Sequence, residues 1–138
     1  MKNVHFVNKN TPQNEKSNIT FCTTPLQFAK EVENAQSVQL DYVLETNFDW
    51  KQVPGYLKFV FDKMVLGGEL VINCDDTGML LNLASNRQVD IEALNGRLVG
   101  KKCYLTLPYL RKVLEEVGFR PISFTYMQNC TMCIKVQK

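Results

Sequence analysis

Several features of membrane proteins, secreted proteins and hydrolases are missing from this sequence of 138 residues. No apolar run approaches the roughly 20 residues that cross a bilayer, and the N-terminus has no apolar stretch of the signal-peptide kind. His5 is the only histidine, and no serine or cysteine nucleophile motif matches it, which argues against catalytic-triad chemistry. We therefore expect a cytoplasmic protein that does not bind membranes.

An excess of charge of one sign is also missing. The formal net charge is +2, from 16 Lys and Arg against 14 Asp and Glu. The basic residues are scattered, and the pairs Lys101-Lys102 and Arg111-Lys112 are typical of solvated surface. Aromatic residues are not interleaved with them as in RNA-recognition modules. These observations argue against nucleic acid as a partner.

The cysteine content does not suit a disulfide framework, because the chain has five cysteines, an odd number. Cys130 and Cys133 have the spacing of zinc and redox motifs. A zinc site would need a second pair of ligands, and a redox motif would sit at a helix N-terminus, whereas these residues begin a predicted strand. We interpret the cysteines as structural thiols and expect no metal site.

Short apolar segments alternate with helical patterns, and the length fits one domain, 1–138. β-branched and aromatic runs predict strands at Val4–Val7, Ile19–Cys22, Leu40–Leu44, Glu69–Cys74, Pro121–Met127 and Thr131–Val136. Periodicity and capping predict helices at Pro25–Ala35, Pro54–Val65, Met79–Ala84, Asp90–Leu98 and Leu107–Val117. This alternation predicts an α/β fold with a mostly parallel sheet, closed by an antiparallel hairpin at the C-terminus.

Two of the predicted helices have clear ends. An apolar stripe follows Pro54, and Gly67-Gly68 is expected to end that helix, because glycine tolerates the left-handed turn needed there. For the last helix we predict Thr106 as the N-cap and Gly118 as the end, with Phe119 making the apolar contact that follows a glycine cap.

Polar residues follow the predicted strand Leu40–Leu44, at the edge where open α/β sheets bind ligands. Glu45 and Asn47 could face a substrate or a cofactor, and Trp50 could stack on a ring. The alternative is a capping loop, in which Asp49 caps the helix near Pro54 and Trp50 packs on the edge of the sheet.

A second polar segment, Asn73 to Asp76, follows the next strand on the same edge. The paired carboxylates Asp75 and Asp76 could bind a metal or act as acid and base. They could equally cap the helix that begins near Thr77.

The order of these segments resembles class I, Rossmann-like S-adenosylmethionine-dependent methyltransferases, especially the small-molecule and sugar-type subgroup. Leu40–Glu45 is similar to the strand that follows the family's cofactor-contacting acidic loop. Val65–Ile72 resembles its proline-glycine-glycine turn, with Leu66 in place of the proline. Asp90–Gly96 resembles an acidic leucine-asparagine connector, and Leu107–Phe119 a helix that ends in valine-glycine-phenylalanine.

The resemblance also implies parts that this sequence does not contain. The family has a glycine-rich loop after its first strand and an acidic residue after its second, which together hold the cofactor. No glycine occurs before Gly55, Val4–Val7 matches the second strand, and Asn8 stands where the acid is expected. The resemblance therefore implies a sheet that lacks the first strand and helix. Such a sheet is either rewired or has an edge that another copy or another protein covers.

We therefore expect a truncated, degenerate methyltransferase-like domain, not catalytic alone, that serves as a binding or assembly module and self-associates or docks on a partner protein. One alternative is an active S-adenosylmethionine-dependent methyltransferase completed by oligomerisation or a partner subunit. Its cofactor would contact Asn8, Glu45, Asn47 and Asn73, with no side chain assigned to catalysis. A second alternative is a sensor of small molecules or nucleotides.

Overall fold

Alternating buried and exposed positions place much of the chain in one mixed sheet. A computed structural model describes residues 2–6, 19–22 and 34–138. Its strands are β1 (Lys2–Phe6), β2 (Ile19–Cys22), β3 (Ala35–Asp41), β4 (Met64–Asp75), β5 (Arg120–Tyr126) and β6 (Thr131–Gln137). They lie in the order β2-β1-β3-β4-β6-β5. Strands β1 to β4 are parallel to one another, and β6 is antiparallel to both of its neighbours, β4 and β5. This confirms the parallel sheet with its closing hairpin.

The sheet is rewired rather than left open where the central strand was expected to be missing. β1 pairs directly with β3, with Val4 opposite Val38 and Phe6 opposite Leu40. A doubly wound sheet has the order 3-2-1-4-5, so its first strand separates the second strand from the fourth. The order β2-β1-β3-β4 is that arrangement without its first strand. The ladder between β1 and β3 thus lies inside the sheet, at the place that the first strand of a doubly wound fold occupies.

The described helices are α1 (Val43–Asn47), α2 (Val53–Lys63), α3 (Thr77–Ser85), α4 (Ile91–Leu98) and α5 (Leu107–Val117). Side chains cap three of them: Asp76 accepts from Met79 N at 3.1 Å, Asp90 from Ala93 N at 2.7 Å, and Thr106 from Tyr109 N at 3.4 Å. None of these helices has the length and apolarity needed to cross a bilayer.

The predicted ends of the last helix are confirmed, because local chemistry determines them. Thr106 is the N-cap of α5, and Gly118 ends it with φ 117°. Phe119 is buried, and its ring meets that of Phe61 edge-on with centroids 4.9 Å apart. This contact joins the end of α5 to α2.

The predicted strand Leu40–Leu44 is wrong in its position. The strand is β3, Ala35–Asp41, and the chain leaves the sheet at Tyr42, whose φ is 56°. Val43 and Leu44 are buried, but they belong to α1. An apolar run of this length fits a buried strand or a buried helical turn equally well, which explains the error. In the predicted helix Pro25–Ala35, residues 25–33 lie outside the described residues, and Ala35 begins β3.

Gly67-Gly68 does not end a helix, contrary to prediction. Helix α2 ends at Lys63, and the glycine pair lies inside β4. Gly67 has φ 83°, and the pairing of β3 with β4 shifts register in this region. A Cβ on Gly68 would lie 3.0 Å from the Gln36 carbonyl oxygen, so only glycine lets the two strands approach. The pair is used for a bulge and a close approach.

Two apolar clusters hold the layers together. The main core lies between the sheet and helices α1, α2 and α5, and includes Leu40, Leu57, Leu70, Leu114 and Ile134. A smaller cluster of Leu80, Leu94 and Cys130 joins α3 and α4 to the turn of the closing hairpin. Helices α3 and α4 are therefore held near the ends of β4 and β5, beside the edge where ligands bind in such sheets.

We predict opposite effects of one substitution at two glycines. Gly68→Ala should lower the free energy of unfolding by about 1–3 kcal/mol, because the new Cβ meets the backbone of β3. Gly96→Ala should raise it by about 0.5–1 kcal/mol, because Gly96 lies inside α4 and a Cβ there would have no neighbour within 4 Å. Urea unfolding followed by circular dichroism measures both. Equal effects at the two sites would contradict the close approach at Gly68.

Candidate functional site

Four charged side chains meet at the carboxyl ends of β3 and β4. They are Glu45 of α1, Asp75 at the end of β4, Arg97 of α4 and Lys101 in the following loop, and we call them the charge cluster. Glu45 is fully buried and Asp75 nearly so, while the Lys101 side chain is 6% exposed. Buried charges persist in folded proteins when they are paired, and each member of this cluster has an opposite charge beside it.

Lys101 is shared between the two acids. Its Nζ donates to Asp75 Oδ2 at 2.5 Å and lies 3.2 Å from Glu45 Oε2. The second contact is an ion pair whose geometry does not make a hydrogen bond. Glu45 Oε1 accepts a long hydrogen bond of 3.4 Å from the Asp75 backbone N–H. Lys101 therefore ties α1 to the end of β4.

Arg97 binds the Asp75 carboxylate through two of its nitrogens. Its Nε donates to Asp75 Oδ2 at 3.3 Å, and its Nη2 donates to Asp75 Oδ1 and to the Asn129 carbonyl oxygen, the latter at 2.6 Å. Thr131 Oγ1 also donates to Asp75 Oδ1, at 3.4 Å. A carboxylate with this many charge-assisted partners is held in one orientation.

The backbone of the loop after α4 fixes these side chains in place. Lys102 N donates to the Glu45 carbonyl oxygen at 2.7 Å, and Thr77 N donates to the Leu105 carbonyl oxygen at 2.9 Å. The loop therefore rests on α1 at one point and on the start of α3 at another. The backbone hydrogen bonds of this loop therefore hold Lys101 in the interior, in addition to the ion pairs of its side chain.

The two acids have opposite pKa shifts. Burial raises the pKa of Glu45, and Lys101 opposes that rise only in part. Burial also acts to raise the pKa of Asp75, but hydrogen bonds from Arg97 and Lys101 outweigh it and hold that pKa below its usual value. Burial raises the pKa of the nearby Cys103 thiol to about 11, so this thiol is protonated at neutral pH. When the cluster takes up a proton, Glu45 receives it first.

Three of the four predicted cofactor residues lie among the described residues, and the side chain of each has its own partners. Asn8 lies outside the described residues. Glu45 is fully buried in the charge cluster, and Asn47 Nδ2 donates to the Val43 carbonyl oxygen at 2.9 Å, within its own helix. Asn73 Nδ2 donates to Asp41 Oδ1 at 2.7 Å, while its buried Oδ1 accepts no hydrogen bond within the described ranges.

The capping interpretations agree with the structure in part. Asp76 is the N-cap of α3. Asp49 Oδ1 accepts from Lys51 N at 2.8 Å and from Gln52 N at 3.1 Å, in the turn that leads into α2. That alternative also had Trp50 packing on the sheet edge, which is wrong, because Trp50 is 58% exposed. Its ring lies 5.7 Å from Lys51 Nζ, and its carbonyl oxygen accepts from the Tyr109 hydroxyl.

Lys101 and Arg97 were missed at the sequence level, and the interpretation of Lys101 as solvated surface is wrong. Their partners lie 22 to 26 residues away or farther, so no local pattern marks them. One usable signal was Glu45, an acid directly after a buried apolar run, since a buried carboxylate requires a cation. Cys130 and Cys133 are free thiols, as interpreted.

A cleft of about 560 Å³ opens beside the charge cluster. Tyr42, Asp75, Arg97, Asn129 and Thr131 line it, and the Tyr42 and Thr131 hydroxyls share a hydrogen bond of 3.2 Å. Its volume lies in the range of small-molecule sites. We call this the polar cleft, and chemically it offers hydroxyl, guanidinium and amide groups.

We predict that Lys101→Met destabilises the protein by about 3–5 kcal/mol at neutral pH, because Glu45 then lacks its cation. The exposed neighbour provides a control: Lys102→Met should change stability by no more than about 0.5 kcal/mol. Burial raises the pKa of Glu45, so this carboxyl becomes neutral as the pH falls towards that pKa, and its neutral form needs no cation. The destabilisation caused by Lys101→Met should therefore be smaller at low pH. Urea unfolding at pH 5 and pH 7.5 measures this, and a pH-independent loss would contradict a charged Glu45.

Comparison with known proteins shows the fold and not the family. No family model and no curated protein matches this sequence. Many solved structures match in three dimensions. An O-methyltransferase family protein from Burkholderia thailandensis has a TM-score of 0.59 at 17% identity, and the match covers 88% of this chain and 36% of that one.

Two further matches are structures with cofactor or cofactor product bound. Human N-acetylserotonin methyltransferase, in complex with S-adenosylmethionine, has a TM-score of 0.59 at 20% identity, covering 91% of this chain and 35% of that one. The 1,6-didemethyltoxoflavin N1-methyltransferase of Burkholderia thailandensis, with S-adenosylhomocysteine, has a TM-score of 0.57 at 12% identity, covering 88% and 51%. This chain thus spans between about a third and a half of each matched structure, and its fold is the Rossmann-like α/β fold of S-adenosylmethionine-dependent methyltransferases.

Proposed function

We propose that this chain is a methyltransferase-like domain that does not transfer methyl groups alone and serves as a binding or assembly module. The observation that carries the proposal is the direct pairing of β1 with β3. Doubly wound folds hold their nucleotide cofactor on the glycine-rich loop that follows the central first strand. Here the backbone groups of β1 and β3 that would flank such a strand are hydrogen-bonded to each other.

The consequence for a cofactor is physical. Inserting a strand between Val4 and Val38 would break every hydrogen bond of that ladder, and unpaired backbone groups in the middle of a sheet are costly. This pairing favours a domain in which the usual cofactor cradle is replaced by continuous sheet.

The charge cluster at the carboxyl ends of β3 and β4 supports the same proposal. Glu45 and Asp75 lie near the carboxyl ends of β3 and β4, and both are already neutralised by Lys101 and Arg97. Asp41, the last residue of β3, accepts from Asn73 Nδ2 at 2.7 Å. An acid that is to act as a base or to bind ribose hydroxyls needs lone pairs open to the ligand. On Asp75, four donors from three side chains already occupy the two oxygens.

The second candidate function is an active methyltransferase completed by other copies or by a partner subunit. The observation that favours it is the likeness to structures that hold S-adenosylmethionine or its product, of which this chain spans only part. In this case a second polypeptide supplies the cradle.

We predict that the chain alone binds S-adenosylhomocysteine more weakly than a Kd of about 1 mM. Calorimetric titration with S-adenosylhomocysteine and S-adenosylmethionine measures this. Human N-acetylserotonin methyltransferase, whose structure contains S-adenosylmethionine, is the positive control. Saturable heat at one ligand per chain and micromolar affinity would contradict the proposal and favour the enzyme or a cofactor sensor.

For the assembly role we predict a solution mass at least twice the 15.9 kDa of one chain, measured by light scattering. β5 lies at the end of the sheet order and, among the described residues, pairs only with β6, so its outer edge can pair with another chain. Ile122→Lys, on that exposed strand, should lower the mass. Ile91→Lys, the same change at an exposed position on α4, should not. A wild-type monomer would contradict the assembly role.

A further inference from the structure

The polar cleft continues into an apolar groove of about 530 Å³ between α3, α4 and the closing hairpin. Arg97, Met127 and Asn129 line both. The apolar side of the groove is formed by Met79, Leu80, Leu83, Val89, Tyr126 and Met127. The combined site therefore has one polar end and one apolar end, and Arg97 lines both.

Arg97 has donors to spare for a ligand. A guanidinium carries five N–H groups, and Nε and Nη2 account for the three bonds to Asp75 and Asn129. In the part of the chain that the structure describes, Nη1 donates to no acceptor. About a third of the Arg97 side chain is exposed, in contrast to Lys101. Two N–H groups on one cation are suited to an anionic oxygen.

The charge at this position suits a single negative charge. Lys101 is buried and already shared by Glu45 and Asp75. Among the residues that line the polar cleft and the groove, the cation is therefore Arg97. Asp75 contacts two cations, one of them shared with Glu45, while Asp76 accepts from the Tyr126 hydroxyl at 2.8 Å. A dianion such as phosphate would meet one cation and two nearby acids. A monocarboxylate matches the available donors.

The apolar end is suited to a ring or a branched hydrocarbon. Met79, Tyr126 and Met127 are all exposed although large and apolar, and they lie on one groove. Methionine sulfur makes favourable contacts with ring edges. The bond from the Tyr126 hydroxyl to Asp76 fixes that ring as one wall.

Backbone strain is concentrated at the same site. Tyr42, Asn129 and Cys130 have φ values of 56°, 62° and 61°. Tyrosine and cysteine rarely adopt this left-handed conformation. All three residues line the polar cleft or the groove. Strain retained around a cleft is a recurrent feature of ligand sites.

We propose that this groove binds an amphipathic monocarboxylate, with its carboxylate on Arg97 Nη1 and its apolar body between Met79, Tyr126 and Met127. The proposed binding module thereby acquires a class of ligand. The inference rests on the proposed function only in that both treat the domain as one that binds a ligand. The carboxylate accepts two charge-assisted hydrogen bonds, and the body removes exposed apolar side chains from water.

Fluorescence or calorimetric titration with 2-naphthoate tests the proposal on the intact chain. The matched neutral ligand is 2-naphthamide, which has the same ring and a similar shape. We expect the carboxylate to bind at least about tenfold more tightly than the amide, the difference expected of a charge-assisted pair. Equal affinities, or no saturation by either ligand, would overturn the proposal.

Two variants locate the effect at Arg97. Arg97→Gln should remove the preference for the carboxylate, while Arg111→Gln, an exposed arginine paired with Glu115 on α5, should retain it. If Arg97→Gln unfolds, Met127→Glu provides the test, because this exposed position tolerates a charge and sets it beside the ligand. Met127→Glu should weaken naphthoate more than naphthamide. An unchanged preference in either folded variant would overturn the assignment.

The outcomes distinguish this proposal from the proposed function. Methyl transfer by the isolated chain would contradict the binding-module role and leave the naphthoate measurement unaffected. Failure of naphthoate to bind would remove the carboxylate site and leave the titration with S-adenosylhomocysteine unaffected. Each experiment therefore has its own readout.

Discussion

The burial of Asp75 at the end of β4 is the interaction on which this end of the molecule depends. A carboxylate cannot stay ionised there without cations, and the chain supplies Lys101 and Arg97 from one segment that crosses the edge of the sheet. Because Lys101 also pairs with Glu45, the same contacts join α1, β4 and the loop after α4. Arg97 adds the turn of the closing hairpin through Asn129.

The middle of the sheet follows from a second constraint, the need to pair backbone groups. In the absence of an intervening strand, β1 and β3 satisfy each other, and the sheet remains continuous from β2 to β5. The fold class was predictable because alternation of strands and helices, a closing hairpin and strong caps are encoded within a few residues. Thr106 and Gly118 are such cases: each acts on its own helix end.

The errors occurred where a local pattern permitted two structures and distant contacts chose one. Gly67-Gly68 has the composition of a helix end, but the approach of Gln36 from β3 decides its role as a bulge in β4. Val43 and Leu44 continue an apolar run, but the turn at Tyr42 redirects them into α1. In both places the deciding partner lies in a different element, which a single sequence does not reveal.

Of the four charged residues of the candidate site, only the two acids could be predicted from the sequence. Glu45 and Asp75 follow predicted strands, so the carboxyl edge indicated them. Arg97 lies in the last turn of the short helix α4 and Lys101 in the loop after it, where no sheet edge marks them. This asymmetry has a chemical consequence. Lys101 and Arg97 neutralise Glu45 and Asp75, and the Nη1 group of Arg97 is left facing the polar cleft and the apolar groove. The proposed monocarboxylate follows from this arrangement, because a cation beside an apolar surface is complementary to an anion with an apolar body.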